Sequence, residues 1–278
     1  QTLSLLFQES WVKTEDISNC LFIDKRTLNK TFQDVRDVLK HYHLSLISKP
    51  YYGFSVQGDE LQKRFCIMNL YAHYHHIPFL IKKDLIYQNF FAIDSMKLIE
   101  IRNIWLTFMR EQDCMIKDIH IEKFVYHILL SYHRFKKGYT IEFSQTEKDE
   151  IEASRSYRMI KSLRLQLHEA GVIAIDESEI YYLSTVLFCY LDVHHSDEIE
   201  RYSYLYYKSK ECVQDILQFF KHHYPTLSFP PEFLDTLLFA LFPMVARMHY
   251  YLYEENTWLR NWRFKNISTS PVTLEWAF

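Results

Sequence analysis

From Leu28 the chain repeats an apolar residue every four, three, four and three positions, through Phe32, Val35, Leu39 and Tyr42. That is one stripe at helical period, and it predicts a helix whose opposite face shows Lys25, Arg26, Asn29, Lys30, Gln33 and Arg36. Asp24 stands at the N-cap position, where a short oxygen side chain accepts orphan backbone N–H groups. Upstream, Ile17 and Leu21 lie one turn apart in a shorter helix opened by Thr14, and only a tight turn at about Phe22–Ile23 separates the two. Downstream, Leu44/Leu46 and Phe54/Val56 alternate on either side of Ser48-Lys49-Pro50-Tyr51-Tyr52-Gly53, the pattern of a β-hairpin. Helix, turn, longer helix and hairpin is the plan of a winged helix-turn-helix. Leu3, Leu6 and Phe7 add a helical pattern at the start of the chain.

Beyond the hairpin the pattern is helical almost throughout. It predicts helices over 61–74 (Phe65, Met68, Leu70, Tyr71), 96–109 (Ile99, Ile101, Ile104, Trp105, Phe108), 119–136 closed by Lys137-Gly138, 147–170 closed by Gly171, and 180–191 opened by Asp176-Glu177-Ser178-Glu179. Pro78 ends the first, 79–91 is a mixed apolar segment, and 111–118 is a loop. His194 to Glu200 is polar and reads as a linker. Two more helices follow, Tyr204–His222 and, after Pro230-Pro231, Glu232–Tyr253. At an offset of 113 residues, Ile121, Phe124, Ile128 and Arg134 fall on Leu234, Leu237, Leu241 and Arg247, and Ile104 and Leu106 fall on Leu217 and Phe219. Two similar helical bundles behind one winged helix-turn-helix account for that repeat, against chance alignment of buried helices.

Composition narrows the function class. Apolar residues make up 48% of the 278 residues and aromatics 17%, which argues against disorder. Glycine occurs four times, too seldom for a phosphate-loop βαβ enzyme. The formal net charge of −3 makes any nucleic-acid surface local. Cys20, Cys66, Cys114, Cys189 and Cys212 are scattered, with no metal-ligand or redox spacing, which fits a reducing cytoplasm. The longest apolar stretch, Phe233 to Met248, is shorter than a membrane span and contains Asp235, Pro243 and Arg247. The histidines His41, His43, His73, His75 and His76, and the pairs His194-His195 and His222-His223, lack the helical spacing of metal ligands. The run Glu147, Asp149, Glu150, Glu152 suits the dipole of a helix start. Neither a cofactor, a metal nor an enzymatic site is expected.

The second helix begins with residues that bond phosphates and base edges in a major groove: Lys25, Arg26, Asn29 and Lys30, with Thr27 and the helix N-terminus suited to a phosphate. Lys49 and Tyr51, with Tyr52, stand at the hairpin tip within reach of the neighbouring backbone. A plain solvated helix face would look the same in charge, since Glu9, Glu15, Asp16, Asp24, Asp34 and Asp37 nearly balance the bases. The order of elements favours DNA.

The stretch TLNKTFQDVRDVLKHYHLSLISKPYYGFSVQGDELQKR resembles the second winged helix of transcriptional activators that carry PTS-regulation domains (PRDs), the mannitol-operon-activator type. Gly53-Phe54 and Gly58-Asp59-Glu60 match that family's step from hairpin into the first regulation domain. FVYHILLSYHRFKKGYTI resembles a regulation-domain helix, through His127, Arg134 and Gly138. The segment from Ala170 to Phe188 is similar to the close of that domain, and FLDTLLFALFPMVARM to the start of a second. The resemblance implies a mainly α chain in three parts: a winged helix-turn-helix with a small hairpin at 1–58, a first PRD-like bundle at 59–195, and a second at 200–278, left open as complete or cut short at Phe278.

It further implies a cytoplasmic homodimer on double-stranded promoter DNA that regulates sugar-utilisation genes. His127 would receive a phosphoryl group from the phosphocarrier HPr or a sugar-specific phosphotransferase component; helical spacing then sets Arg134 two turns away on the same face, within reach as counter-charge. A histidine nitrogen is a competent acceptor near neutral pH, although on spacing alone a core histidine is the simpler reading. Val186 and Ala240 stand where the family's other histidines are expected. That departure leaves open a divergent, Mga-like virulence or global regulator, or a signal-receiving interaction protein with weak phosphorylation control. An RNA-binding antiterminator is discounted, because it expects a small β-domain where Thr14–Tyr42 reads helical.

Overall fold

The structure is a computed structural model that describes residues 2–74, 95–112, 116, 118–191, 203–250 and 252. The expected segment 79–91, the linker 194–200, the chain from 253 onward, Cys114 and the histidines at 75, 76, 194 and 195 lie outside the described residues.

The N-terminal part runs α1 (Thr2–Gln8), α2 (Thr14–Leu21), α3 (Lys25–His41), β1 (Ser45–Lys49) and β2 (Gly53–Gln57). Asp24 caps α3, its Oδ1 accepting from the Thr27 N–H at 2.7 Å, and the amide bonds hold its carboxyl below the usual range. The turn from α2 closes on Phe22, at φ 53° with its N–H on the Ser18 carbonyl. Leu28, Phe32, Val35, Leu39 and Tyr42 are all buried, as the stripe requires. The hairpin is antiparallel and pairs Leu46 with Val56 and Ser48 with Phe54. The Phe32 and Phe54 ring centroids lie 4.1 Å apart, which fastens the hairpin to α3. Val12 adds a short third rung, exchanging backbone bonds with Phe54 at 2.9 and 2.8 Å. Gly53 is obligatory there: at φ +101°, a Cβ would sit 2.1 Å from the Val12 carbonyl oxygen.

The bundle follows as α4 (Glu60–Tyr74), α5 (Ser95–Glu111), α6 (Asp118–Lys136), α7 (Gln145–Glu152), α8 (Arg155–Glu169) and α9 (Glu179–Tyr190). Helix α9 is its axis. Every residue of α9 except Tyr181 is buried, because α6, α7, α8 and the second helix of the C-terminal pair pack against it. That pair is α10 (Ser203–His223) and α11 (Pro231–His249). It leans on α9 through an edge-to-face contact of Phe242 with Phe188, at 5.4 Å. Trp105 of α5 and Phe124 of α6 form the aromatic centre, 4.4 Å between centroids and both fully buried. Among the described residues no helix is long and apolar enough to cross a membrane.

Five expectations are corrected. The helix expected over 147–170 is two helices. Ser154 breaks it: its Oγ donates to the Ile151 carbonyl at 2.6 Å and accepts from the Tyr157 N–H at 3.1 Å, so it ends one helix and caps the next. The first of the two starts earlier than expected, on a capping box of Ser144 and Glu147. The last helix stops at His249 rather than Tyr253, with the Leu252 N–H turned back to the Arg247 carbonyl. Ile99 is half exposed, and the buried face of α5 is Ile101, Trp105, Phe108 and Met109. In the aligned repeat, Leu234 is exposed and the buried line of α11 is Leu238, Phe242 and Ala246, one position off the expected register.

Candidate functional site

The polar face of α3 is free of the core. Lys25, Arg26, Thr27, Asn29 and Lys30 are all exposed, as are Lys49 and Tyr51 at the hairpin tip. Lys25 pairs across the helix-turn-helix with Glu15 at 3.5 Å, a solvent-screened contact. One expectation changes in detail. The amide of Thr27 is already taken by Asp24, so anion binding at this end of α3 falls to side chains rather than to that N–H group.

His127 lies elsewhere, in the middle of the bundle. Helix α6 aims it at α9, where its Nδ1 lies 2.6 Å from the Tyr182 hydroxyl and its Nε2 3.1 Å from that of Tyr190. One hydroxyl donates to the bare ring nitrogen and the other accepts from the ring N–H, so a neutral imidazole is fully satisfied. Burial, then the charges of Lys123 and Arg64, lower its pKa to about 3. Because the folded value lies below the usual one, acidification protonates the unfolded chain first. Stability is therefore complete above about pH 6.5 and declines toward pH 3 at about 1.4 kcal/mol per pH unit from this group. His133, lowered to about 4, acts in the same direction. Urea unfolding from pH 7 to pH 4 is expected to show a shallower decline in His127→Gln than in the parent, since glutamine can keep both tyrosine bonds without titrating. Parallel profiles would refute the assignment.

Arg134 is not brought to His127. It grips the seam between the two parts of the chain. Its Nε and Nη2 donate to Glu60 at 2.7 and 2.6 Å, its Nη1 donates to the Phe7 carbonyl at 3.0 Å, and its guanidinium covers the Tyr139 ring at 3.8 Å. Next to it, Lys137 donates to the Gln8 carbonyl and lies 3.8 Å from Glu9. The last carbonyls of α1 thus receive cations from the C-terminal end of α6, as a helix C-terminus favours. Glu60 also accepts from Arg64 Nε at 3.1 Å. Arg64 is fully buried and forks onto Glu179 of α9, with Nη2 to Oε1 at 3.0 Å and Nη1 to Oε2, while Nη2 also reaches the Tyr139 carbonyl at 3.1 Å. Burial opposes its charge, but the Glu179 hydrogen bonds and carboxylate outweigh that and raise its pKa. Its guanidinium stands 4.8 Å from the Tyr182 ring centroid, and Tyr182 holds His127. The chain of contacts therefore runs from α1 through Arg134, Glu60, Arg64 and Tyr182 to His127.

Of the positions where further histidines were expected, Val186 is fully buried in α9 and Ala240 is exposed on α11. Cys20, Cys66, Cys189 and Cys212 are free thiols.

Comparison with known proteins divides the chain along the same seam. The family described as the Mga helix-turn-helix domain matches residues 1–71, and the PRD domain matches residues 106–188. One stretch of the chain is thus similar to an Mga helix-turn-helix domain and a later one to a PRD domain. Two curated proteins of Bacillus subtilis (strain 168) are similar to it. The probable licABCH operon regulator is 20% identical over 180 residues, covering 65% of this chain and 28% of that protein. The transcriptional regulator ManR is 23% identical over 184 residues, covering 65% of this chain and 27% of that protein. The chain thus matches under a third of the length of either relative.

In and just beyond the residues that match the PRD domain, sequence reasoning found His127 and missed Tyr182, Tyr190 and Glu179, which surround or support it. Arg64, in the Mga helix-turn-helix match, was missed as well. A signal for Arg64 was present: Glu60 and Arg64 are four apart, beside the apolar Phe65 and Met68.

Proposed function

We propose that this chain is part of a cytoplasmic transcription regulator of sugar-utilisation genes. Its α3 reads promoter DNA through Lys25, Arg26, Thr27, Asn29 and Lys30, with Lys49 and Tyr51 on the adjoining backbone. The extent of the parts is 1–58 for DNA binding and 59–195 and 200–278 for two regulation domains that set homodimer geometry. The regulator names of the two B. subtilis relatives support this reading. His127 is the proposed phosphoryl acceptor, supplied by HPr or a sugar-specific phosphotransferase component. The observation that carries the regulatory part is the buried contact chain from His127 to the carbonyls of α1. A phosphoryl group adds close to two negative charges. Placed on His127, it would break both tyrosine bonds and draw Arg64 toward itself, away from Glu60 and Glu179. α9 must lift from α6 for that transfer, because the ring is sealed.

That sealing favours a second reading, in which the PRD serves dimerisation and the regulator is Mga-like with little phosphorylation control. One experiment separates them. The protein is incubated with phosphoenolpyruvate, enzyme I and HPr, and its intact mass is read at neutral pH beside His127→Gln. A phosphoryl increment absent from the variant is the expected result. No increment, with both carriers active, would move the reading to the Mga-like regulator or to a sugar-specific donor.

A further inference from the structure

Among the described residues, the non-glycine residues at positive φ are Phe22, His43 and Tyr51, all within the helix-turn-helix and its hairpin. Tyr51 is the extreme case. It follows Pro50 in a turn closed by the Tyr52 N–H on the Lys49 carbonyl at 3.1 Å, and its φ is 68°. Proline second and a positive φ third is the type II pattern, whose third position favours glycine or asparagine. A tyrosine there is strained, and the residue is 96% exposed. It makes no hydrogen bond or ring contact with any described residue, so nothing within the fold offsets either cost.

Everything around Tyr51 is held. The Lys49 ammonium sits 4.3 Å over the Tyr52 ring, and Tyr52 lies 6.0 Å from Trp11. Gly53 locks the turn against Val12, and Phe54 packs on Phe32 of α3. The tip is therefore carried rigidly by the helix proposed to enter the major groove. Ser48 to Gly53 contains one lysine and no acidic residue, which suits a polyanion better than an acidic or apolar protein surface.

We propose that Tyr51 is an aromatic wedge: with α3 in the major groove and the hairpin tip against the adjoining backbone, Lys49 holds a phosphate there and the Tyr51 ring passes beyond it into the adjacent minor groove, between base pairs. The inference rests on the DNA-binding reading and adds a second source of specificity, the ease with which a step unstacks. Pyrimidine–purine steps open most readily. The chain would thus select DNA partly by deformability, at positions α3 does not touch.

The test uses the full chain as the parent, Tyr51→Gly and Tyr51→Phe. Each is used to select from a pool of duplexes of about 30 base pairs, roughly three helical turns, randomised across the centre. Bending of the selected duplexes is measured by energy transfer between end labels. The parent and Tyr51→Phe are expected to enrich a TA or CA/TG step at a fixed distance from the α3 motif and to bend the duplex. Tyr51→Gly should keep the α3 motif, lose the step preference and the bend, and bind the parent's duplex about tenfold more weakly. Its melting temperature should equal or exceed the parent's, since glycine relieves the φ of 68°. An unchanged step, bend and affinity in Tyr51→Gly, with the motif still enriched, would overturn the wedge and leave the DNA reading intact. A lower melting temperature in Tyr51→Gly, with the motif lost as well, would make Tyr51 structural. A parent that enriches no motif would bring down the DNA reading and the wedge together.

Discussion

Replacing Glu60 by glutamine is expected to cost the chain about 3 kcal/mol, read as a lower urea midpoint by circular dichroism at neutral pH. The carboxylate is nearly buried and accepts from two buried guanidinium groups at 2.6 to 3.1 Å. Removing its charge leaves Arg134 without an ionic partner in a water-poor site, and the glutamine NH₂ turns a donor toward donors. Arg64 is affected less, because Glu179 still receives its fork. The distinction between the two arginines is testable in the same series. Arg134→Met should recover part of the loss in a Glu60→Gln background, because the orphaned cation is then gone. Glu147→Gln, at an exposed helix start, should cost about 1 kcal/mol or less. A Glu60→Gln midpoint indistinguishable from the parent would mean that water, rather than this carboxylate, solvates the seam.

The same residues explain what could be read from the chain alone and what could not. The stripe from Leu28 to Tyr42, the Asp24 cap, the turn at Phe22 and the hairpin around Pro50 are local. Each depends on residues within a few positions of one another, so period and turn chemistry suffice. The break at Ser154 is also local, but a serine within a helical pattern looks the same whether it faces solvent or turns back on the Ile151 carbonyl. The seam is of another kind. Arg134 meets Glu60 across 74 positions and the Phe7 carbonyl across 127, and Arg64 meets Glu179 across 115. Nothing in periodicity marks a charged residue as buried when its partner is that far away, and arginine is ordinarily a surface residue. His127 shows both sides. Its helix and its match to the PRD pattern were readable, whereas Tyr182 and Tyr190, which occupy both of its nitrogens, lie three helices further on and carry no signature. The placement of Arg134 as a phosphoryl counter-charge followed from helical spacing. Spacing gives the face of a helix but not the neighbour that face meets.

Substituting Lys25, Arg26 and Lys30 together by alanine is expected to lower affinity for a selected duplex by roughly 100- to 1,000-fold at physiological salt, and to flatten the slope of log K against log salt by about 2 to 3. All three side chains are exposed on the face of α3 away from the core, so the melting temperature should barely move. Since the whole chain has a formal charge of −3, there is no general cationic surface to make up the loss. The three need not contribute equally. Lys25 is already paired with Glu15, so DNA must displace a carboxylate to reach it. Glu15→Gln should therefore strengthen binding and steepen the salt slope, the opposite of the lysine substitutions. Filter-binding titrations over a series of salt concentrations measure both quantities at once. A triple variant that binds weakly but keeps the parental slope would mean that these side chains meet bases rather than phosphates, and the slope would then have to come from the hairpin side, where Lys49 is exposed. A triple variant with unchanged affinity and unchanged slope would remove α3 from the DNA interface altogether.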